Sequence, residues 1–257
     1  MSDQPALAAT LIVVRDHPAG GAPQYLMAER SASMAFAAGA LVFPGGRVDE
    51  QDHDFARSLD PEAADRDDLS ARIAALRETI EECGLGIGAG RSLFAAEEAR
   101  AVRDALQAGQ AFAEIVREMD LTPGLGDLVP FTRWCPPSAG NLSRRFDTRF
   151  YIAAVSEQAD ALEPDGGETV TLEWLTAQDA LDRAAGGEAK LIFPTRRNLE
   201  RLAQCPSVEE LLAHARAHEP ALISPRVERR DGVDYLCIPE GLGYPVTSEP
   251  LETVKRG

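Results

Sequence analysis

The stretch Arg77-Glu78-Thr79-Ile80-Glu81-Glu82-Cys83-Gly84-Leu85 constrains this chain more than any other. It places three carboxylates within five residues. On a helix, Glu78, Glu81 and Glu82 stand at i, i+3 and i+4 and share a face. Ile73, Leu76, Ile80 and Cys83 recur at helical spacing as an apolar stripe suited to a core. Gly84 follows as a helix stop. One face is anchored and the opposite one presents hard oxygen ligands of the kind that suit Mg²⁺ or Mn²⁺. A solvated acidic helix would show the same charges, so the surrounding chain has to decide.

Composition narrows the partners. The 257 residues carry a formal net charge of −16, which argues against general binding to nucleic acid or an anionic membrane. A polyanionic small substrate stays open, because a metal and a few arginines invert the local field. Cys83, Cys135, Cys205 and Cys237 form no CxxC pair and read as thiols of a cytoplasmic protein. No signal peptide is visible, and no apolar run approaches the roughly 18 residues of a membrane span. Richness in Ala, Arg, Gly and Asp suggests a bacterial source.

In chain order, residues 8–15 and 24–30 read as a strand pair, and 41–43 as a short strand entering the sharp turn Pro44-Gly45-Gly46. Residues 49–68 read as an acidic insertion with a short helix near Phe55. The carboxylate helix is expected to start from an N-cap at Asp67 or Asp68. Helices follow at 95–107 and 110–119, within a second insertion at 95–125. Strands are expected at 128–134, 148–155 and 170–175. Helices are expected from Thr176 to 185, at 194–204, and at 207–218, where Ser207 and Glu210 make a capping box. A hairpin over 226–238 closes the chain, with a loose tail after Tyr244. The division is a main domain at 1–204 and a helix-plus-hairpin extension at 205–257 packed on it.

Arg77-Glu78-x-x-Glu81-Glu82-x-Gly84-Leu85, with Phe43-Pro44-Gly45-Gly46 upstream, resembles the Nudix box. That box is the signature of hydrolases acting on nucleoside diphosphates linked to another moiety. The resemblance implies an α/β/α sandwich with a mixed sheet. Leu26 to Ser31, Gly39 to Gly46, Trp134 to Pro137 and Arg144 to Phe150 are similar to the coenzyme A and acyl-CoA diphosphatases of the family. This implies divalent-metal-dependent hydrolysis of CoA or acyl-CoA to 3′,5′-ADP and (acyl-)4′-phosphopantetheine. ADP-ribose, NADH or nucleotide hydrolysis is the alternative, as is a catalytically silent binding module. The partner is then a small molecule rather than nucleic acid or membrane, and a homodimer is compatible with the sequence.

By the same resemblance, Glu78, Glu81, Glu82 and the Gly45 carbonyl hold Mg²⁺ or Mn²⁺. Glu78, Glu81, Arg77 and Glu168 form the catalytic set. Arg77 pairs with a box glutamate, Glu81 lying at i+4. Glu168 is the choice for an added ligand or water-activating base, with Glu163 and Glu173 as competitors. Arg30, Arg144 and Arg145 are the phosphate-gripping candidates, with Arg149 beside them, and Phe43 completes the substrate-binding set. The sequence departs from the family at one place. The common pattern is Gly, five residues, Glu, seven residues, Arg-Glu, and the span from Gly46 to Arg77 exceeds it by 17 residues. Counting back eight from Arg77 meets Leu69, and Asp67 or Asp68 stands nearest the missing acid. His214 and His218, at i and i+4, read as an exposed helix face rather than a metal pair. Trp134 and Phe131 read as core packing rather than an adenine stack.

Overall fold

A computed structural model describes residues 4–34, 37–137, 145–155, 159 and 162–254. Its axis is β1 (Ala6–Arg15), where Leu11, Ile12, Val13 and Val14 are all fully buried. A strand apolar on both faces belongs in the middle of a covered sheet. It pairs antiparallel with β2 (Gln24–Arg30) and parallel with β6 (Phe146–Ala154). The sheet order is β3-β2-β1-β6-β5-β8, with β3 at Leu41–Val42, β5 at Val129–Trp134 and β8 at Leu222–Ile223. Off this path, β4 (Gly45–Arg47) pairs with β1 and β7 (Thr169–Thr176) with β2.

Helices cover both faces. On one face α2 (Arg66–Cys83) lays Ala71, Ala74, Ala75 and Leu76 against Ala9, Leu11, Val13 and Tyr151. The alanines let helix and sheet approach closely. On the other face lie α5 (Ala177–Ala185), α6 (Phe193–Leu202) and α7 (Val208–Ala217), packed on Ile12, Val14, Phe131 and Ile152. This is the expected α/β/α sandwich with a mixed sheet. The outer side of α2 is covered in turn by α1 (Glu50–Leu59), α3 (Ala96–Gln107) and α4 (Phe112–Glu118).

That extra layer corrects the reading of the carboxylate helix. Ile73, Leu76, Ile80 and Cys83 do not face one core: Leu76 and Cys83 meet the sheet, whereas Ile73 and Ile80 meet Phe55, Phe112 and Ile115. The helix is buried on two sides, and the glutamates occupy what remains. Its N-cap is Asp65, two or three residues earlier than expected, accepting from Asp68 N at 2.9 Å. Gly84 ends it in the left-handed conformation, at φ 69°.

Through Val254 the tail is not loose. The Tyr244 hydroxyl lies 3.0 Å from Thr132 Oγ1 and 2.8 Å from Asn198 Oδ1, and its residue is buried. A three-stranded sheet follows the helices: β9 (Arg226–Arg230), β10 (Val233–Cys237) and β11 (Ser248–Pro250). Its Glu249 reaches Arg197 of α6 at 3.1 Å. His214 accepts from Arg201 Nε at 3.0 Å, and burial beside that guanidinium pushes its pKa down to about 4. It is a neutral acceptor within the α6–α7 packing. Trp134 and Phe131 are buried in the core as expected.

Candidate active site

The turn Pro44-Gly45-Gly46 brings β4 against β1, and the carboxylates of α2 meet it there. Gly45 N donates to Glu82 Oε2 at 3.0 Å. Gly45 must be glycine, and a side chain at Gly46 would displace the Glu78 carboxyl. Gly45 has φ 151°, and a Cβ on it would stand 2.3 Å from Ala9 O. A Cβ on Gly46 would stand 2.4 to 2.6 Å from the carboxyl atoms of Glu78.

Arg77 organises the other side. Its Nη1 donates to Glu78 Oε1 at 2.9 Å and to Glu81 Oε2 at 3.0 Å, and its Nη2 to Arg47 O at 3.0 Å. The expected Arg77–Glu81 contact is present. The strongest partner lies elsewhere. Arg77 Nε and Nη2 fork onto Asp52 Oδ1 and Oδ2 at 3.0 and 2.9 Å, and Asp52 is 1 % exposed. Such a planar, bidentate pair holds orientation as well as charge.

Asp52 corrects the account of the missing box acid. Gly46 and Asp52 are separated by five residues, the family's own spacing, with Asp in place of Glu. All 17 extra residues lie after Asp52, between it and Arg77. Asp67 and Asp68 are not substitutes: Asp67 is exposed, and Asp68 binds Arg72 at 2.6 Å and the Tyr151 hydroxyl at 2.8 Å. Counting forward from Gly46 would have found Asp52.

Other candidates divide clearly. Glu168 reaches the cluster through Arg30, whose guanidinium lies 3.8 Å from Glu168 and 3.9 Å from Glu82. Its competitors do not: Glu163 pairs with Arg100 at 3.7 Å and Glu173 with Arg183 at 3.0 Å. Arg149 is committed to Asp65 and Asp68 at 2.9 and 3.4 Å, clamping the start of α2 to β6. Arg145 precedes β6, whose first residue Phe146 is level with Ala6, whereas the glycine turn is level with Ala9 and Thr10. The offset is roughly 13 Å along the strands. Arg145 Nη1 donates to Pro136 O at 3.5 Å. Arg144 lies outside the described residues. Phe43 is 4 % exposed and packs in the core with Phe193 and Leu191, which leaves no face for a substrate.

Burial sets the electrostatics. Desolvation pushes the Glu82 pKa up to about 8 and that of Glu78 to about 7, with Glu81 raised for the same reason. Among the described residues, no three such acids converge on one point as they stand. Like charges turn apart toward flanking donors, here Arg77 and Gly45 N. The second oxygen of each glutamate accepts no hydrogen bond among the described residues. The donor chemistry fits a hard divalent cation: acid oxygens, desolvated, beside a backbone that a Cβ would block.

The raised values have a sign. The folded state holds these protons to higher pH than the unfolded chain, so stability falls as pH rises from about 5 to 8. With divalent metal chelated, the midpoint of thermal unfolding is expected to drop across that window. Mg²⁺ or Mn²⁺ added at pH 8 is expected to restore it. Scanning calorimetry at both pH values checks this, and a midpoint that rises with pH under chelation contradicts it.

Similarity to known proteins defines the family. The family model described as the NUDT19 Nudix domain matches residues 55–202. The chain belongs to the Nudix family. It is 26 % identical over 244 residues to the human acyl-coenzyme A diphosphatase NUDT19, covering 77 % of this chain and 64 % of that protein. The Xenopus laevis protein of the same name is 24 % identical over 235 residues, with 73 % and 62 % covered. The chain thus spans less than two thirds of the length of either relative. Among solved structures, a NUDIX hydrolase from Alicyclobacillus acidocaldarius superposes with a TM-score of 0.69 at 29 % identity, covering 82 % of this chain and 96 % of that one.

Proposed function

We propose that this protein hydrolyses the diphosphate of CoA or acyl-CoA, yielding 3′,5′-ADP and (acyl-)4′-phosphopantetheine, with Mg²⁺ or Mn²⁺. The observation that carries the proposal is the gathering of Glu78, Glu81 and Glu82 at the Gly45–Gly46 turn, with Arg77 and Asp52 bracing them. The name of the human and Xenopus relatives supports the substrate class.

In this reading Glu78, Glu81, Glu82 and the Gly45 carbonyl hold the cation. A bound divalent metal neutralises the diphosphate and lowers the pKa of water. Arg77 positions Glu78 and Glu81 by its hydrogen bonds. Glu168, 59 % exposed at its side chain, is the base or added ligand. Arg30 supplies a guanidinium fork for a phosphate. No helix among the described residues is long and apolar enough to cross a membrane. A cytoplasmic location and a small-molecule partner fit the charge and composition. A bacterial source rests on composition, since both acyl-coenzyme A diphosphatases named above are animal proteins.

Turnover of CoA, an acyl-CoA, ADP-ribose and NADH compared under one set of metal conditions tests the substrate class. The highest kcat/KM is expected for CoA or its thioester. Turnover of ADP-ribose with none of CoA would sink the substrate assignment and leave the chemistry standing.

A further inference from the structure

Arg30 ends β2 at the one irregular step of its pairing with β7, where the register slips between Glu29 and Arg30. A bulge re-aims a side chain out of the pleat's alternation. Here the slip accompanies a guanidinium set between acids from two distant segments, Nη1 3.9 Å from Glu82 Oε1 and Nη2 3.8 Å from Glu168 Oε2. Both separations are too long for hydrogen bonds. Arg30 Nε is buried and has no hydrogen-bond partner among the described residues. A side chain only 16 % exposed therefore makes no hydrogen bond among the described residues, although it carries five N–H donors. Buried donors are ordinarily satisfied. Arg77, a few ångströms along the same cluster, is: it bonds Asp52, Glu78, Glu81 and Arg47 O.

The acid opposite is placed through its backbone, and its carboxylate accepts no hydrogen bond among the described residues. Ser31 N donates to Glu168 O at 2.8 Å. The Asp165 carboxylate accepts from the backbone N–H groups of Gly167, Glu168 and Thr169 at 3.3, 3.1 and 2.7 Å. Arg30 and Glu168 thus ride on one scaffold, held by main chain, while their charged ends meet only through space.

We propose that Arg30 is an exchangeable counter-charge. It competes with the divalent cation for Glu82 and Glu168, and it turns to the substrate diphosphate once the cation has taken those carboxylates. This rests on the metal-centre reading above. It makes binding ordered, cation before diphosphate, because the cation takes over the two carboxylates that otherwise hold the Arg30 charge through space. It also predicts opposite effects on two ligands. Removing a positive charge a few ångströms from the cation's carboxylates tightens the metal by roughly tenfold, and removing the phosphate fork weakens the diphosphate by a similar factor. A purely structural arginine would weaken both or neither.

The test is calorimetric titration with Mn²⁺ alone, at fixed pH, of the wild type, Arg30→Gln, Arg30→Met and Arg30→Lys. The neutral variants are expected to bind Mn²⁺ about tenfold more tightly, and the lysine variant, which keeps the charge, to stay within about twofold of wild type. A second titration of the Mn²⁺-loaded proteins with α,β-methylene-ADP, which resists hydrolysis, is expected to show weaker binding in both neutral variants. The glutamine variant keeps a polar group in the buried position, so it carries the test if the methionine variant unfolds. Unchanged or weaker Mn²⁺ affinity in the neutral variants overturns the exchange. Failure of the wild type to bind Mn²⁺ overturns the metal-centre reading instead.

Discussion

Glu82→Gln is expected to lower turnover by at least about 10³-fold while the folded protein becomes more stable. The first effect follows from its place. Glu82 is 6 % exposed, held by Gly45 N, and flanked by Glu78 and Arg30. A thousandfold loss corresponds to roughly 4 kcal/mol of transition-state stabilisation, the scale on which a catalytic metal acts. The second effect follows from its pKa of about 8, which means that ionisation is unfavourable in the fold. A neutral amide removes that cost, roughly 1–3 kcal/mol at pH 8 with metal chelated, and still accepts from Gly45 N. A residue that merely held the fold together would lose both properties at once. Opposite changes in kcat and thermal midpoint, measured on one preparation, distinguish the cases. Stored instability of this kind is common where a site must receive a charge.

Asp52→Ala is expected to be the most damaging single change to stability among the site residues. It strips a bidentate partner from Arg77, itself 8 % exposed, and leaves a buried cation short of its counter-charge. Breaking such a pair costs about 3–5 kcal/mol, and Glu78, Glu81 and Arg47 O offset part of it. For a chain of this size the loss corresponds to a thermal midpoint lower by roughly 6–12 °C. Turnover is expected to fall as well, because Arg77 also sets Glu78 and Glu81. The control is Asp67→Ala. Asp67 is exposed, and a surface change of this kind is worth about 0.5 kcal/mol or less. Equal losses in the two variants would show that Asp52 has no special part.

Asp52 also shows where reading a sequence reaches its limit. The carboxylates of α2 and the glycine turn were legible because their chemistry depends on spacing along one helix and one turn. The bracing acid was missed because the insertion moves it 25 positions from Arg77, and contact across a loop leaves no period. The apolar stripe of α2 was legible as buried. Its division between the sheet and the α1–α3–α4 layer was not, since a helical period reports burial and not the identity of the neighbour. Phe43 beside Pro44 looked like part of the site by adjacency alone. Strand alternation sends its ring into the opposite core. Arg149 and Arg30 are the same residue type, and the sequence favoured Arg30 only by its place in the matched motif. The first is consumed by Asp65 and Asp68, while the second stands at a bulge with its donors unused.

The proposed reaction is cleavage of the CoA diphosphate at the Glu78–Glu82 cluster through a divalent cation. The most direct measurement is mass-resolved product analysis after incubation of the protein with CoA, with Mg²⁺ and with a chelator. Equal amounts of 3′,5′-ADP and 4′-phosphopantetheine are expected with Mg²⁺, and neither with the chelator. Intact CoA in the presence of both Mg²⁺ and Mn²⁺, or equal product in the presence of the chelator, would contradict the account.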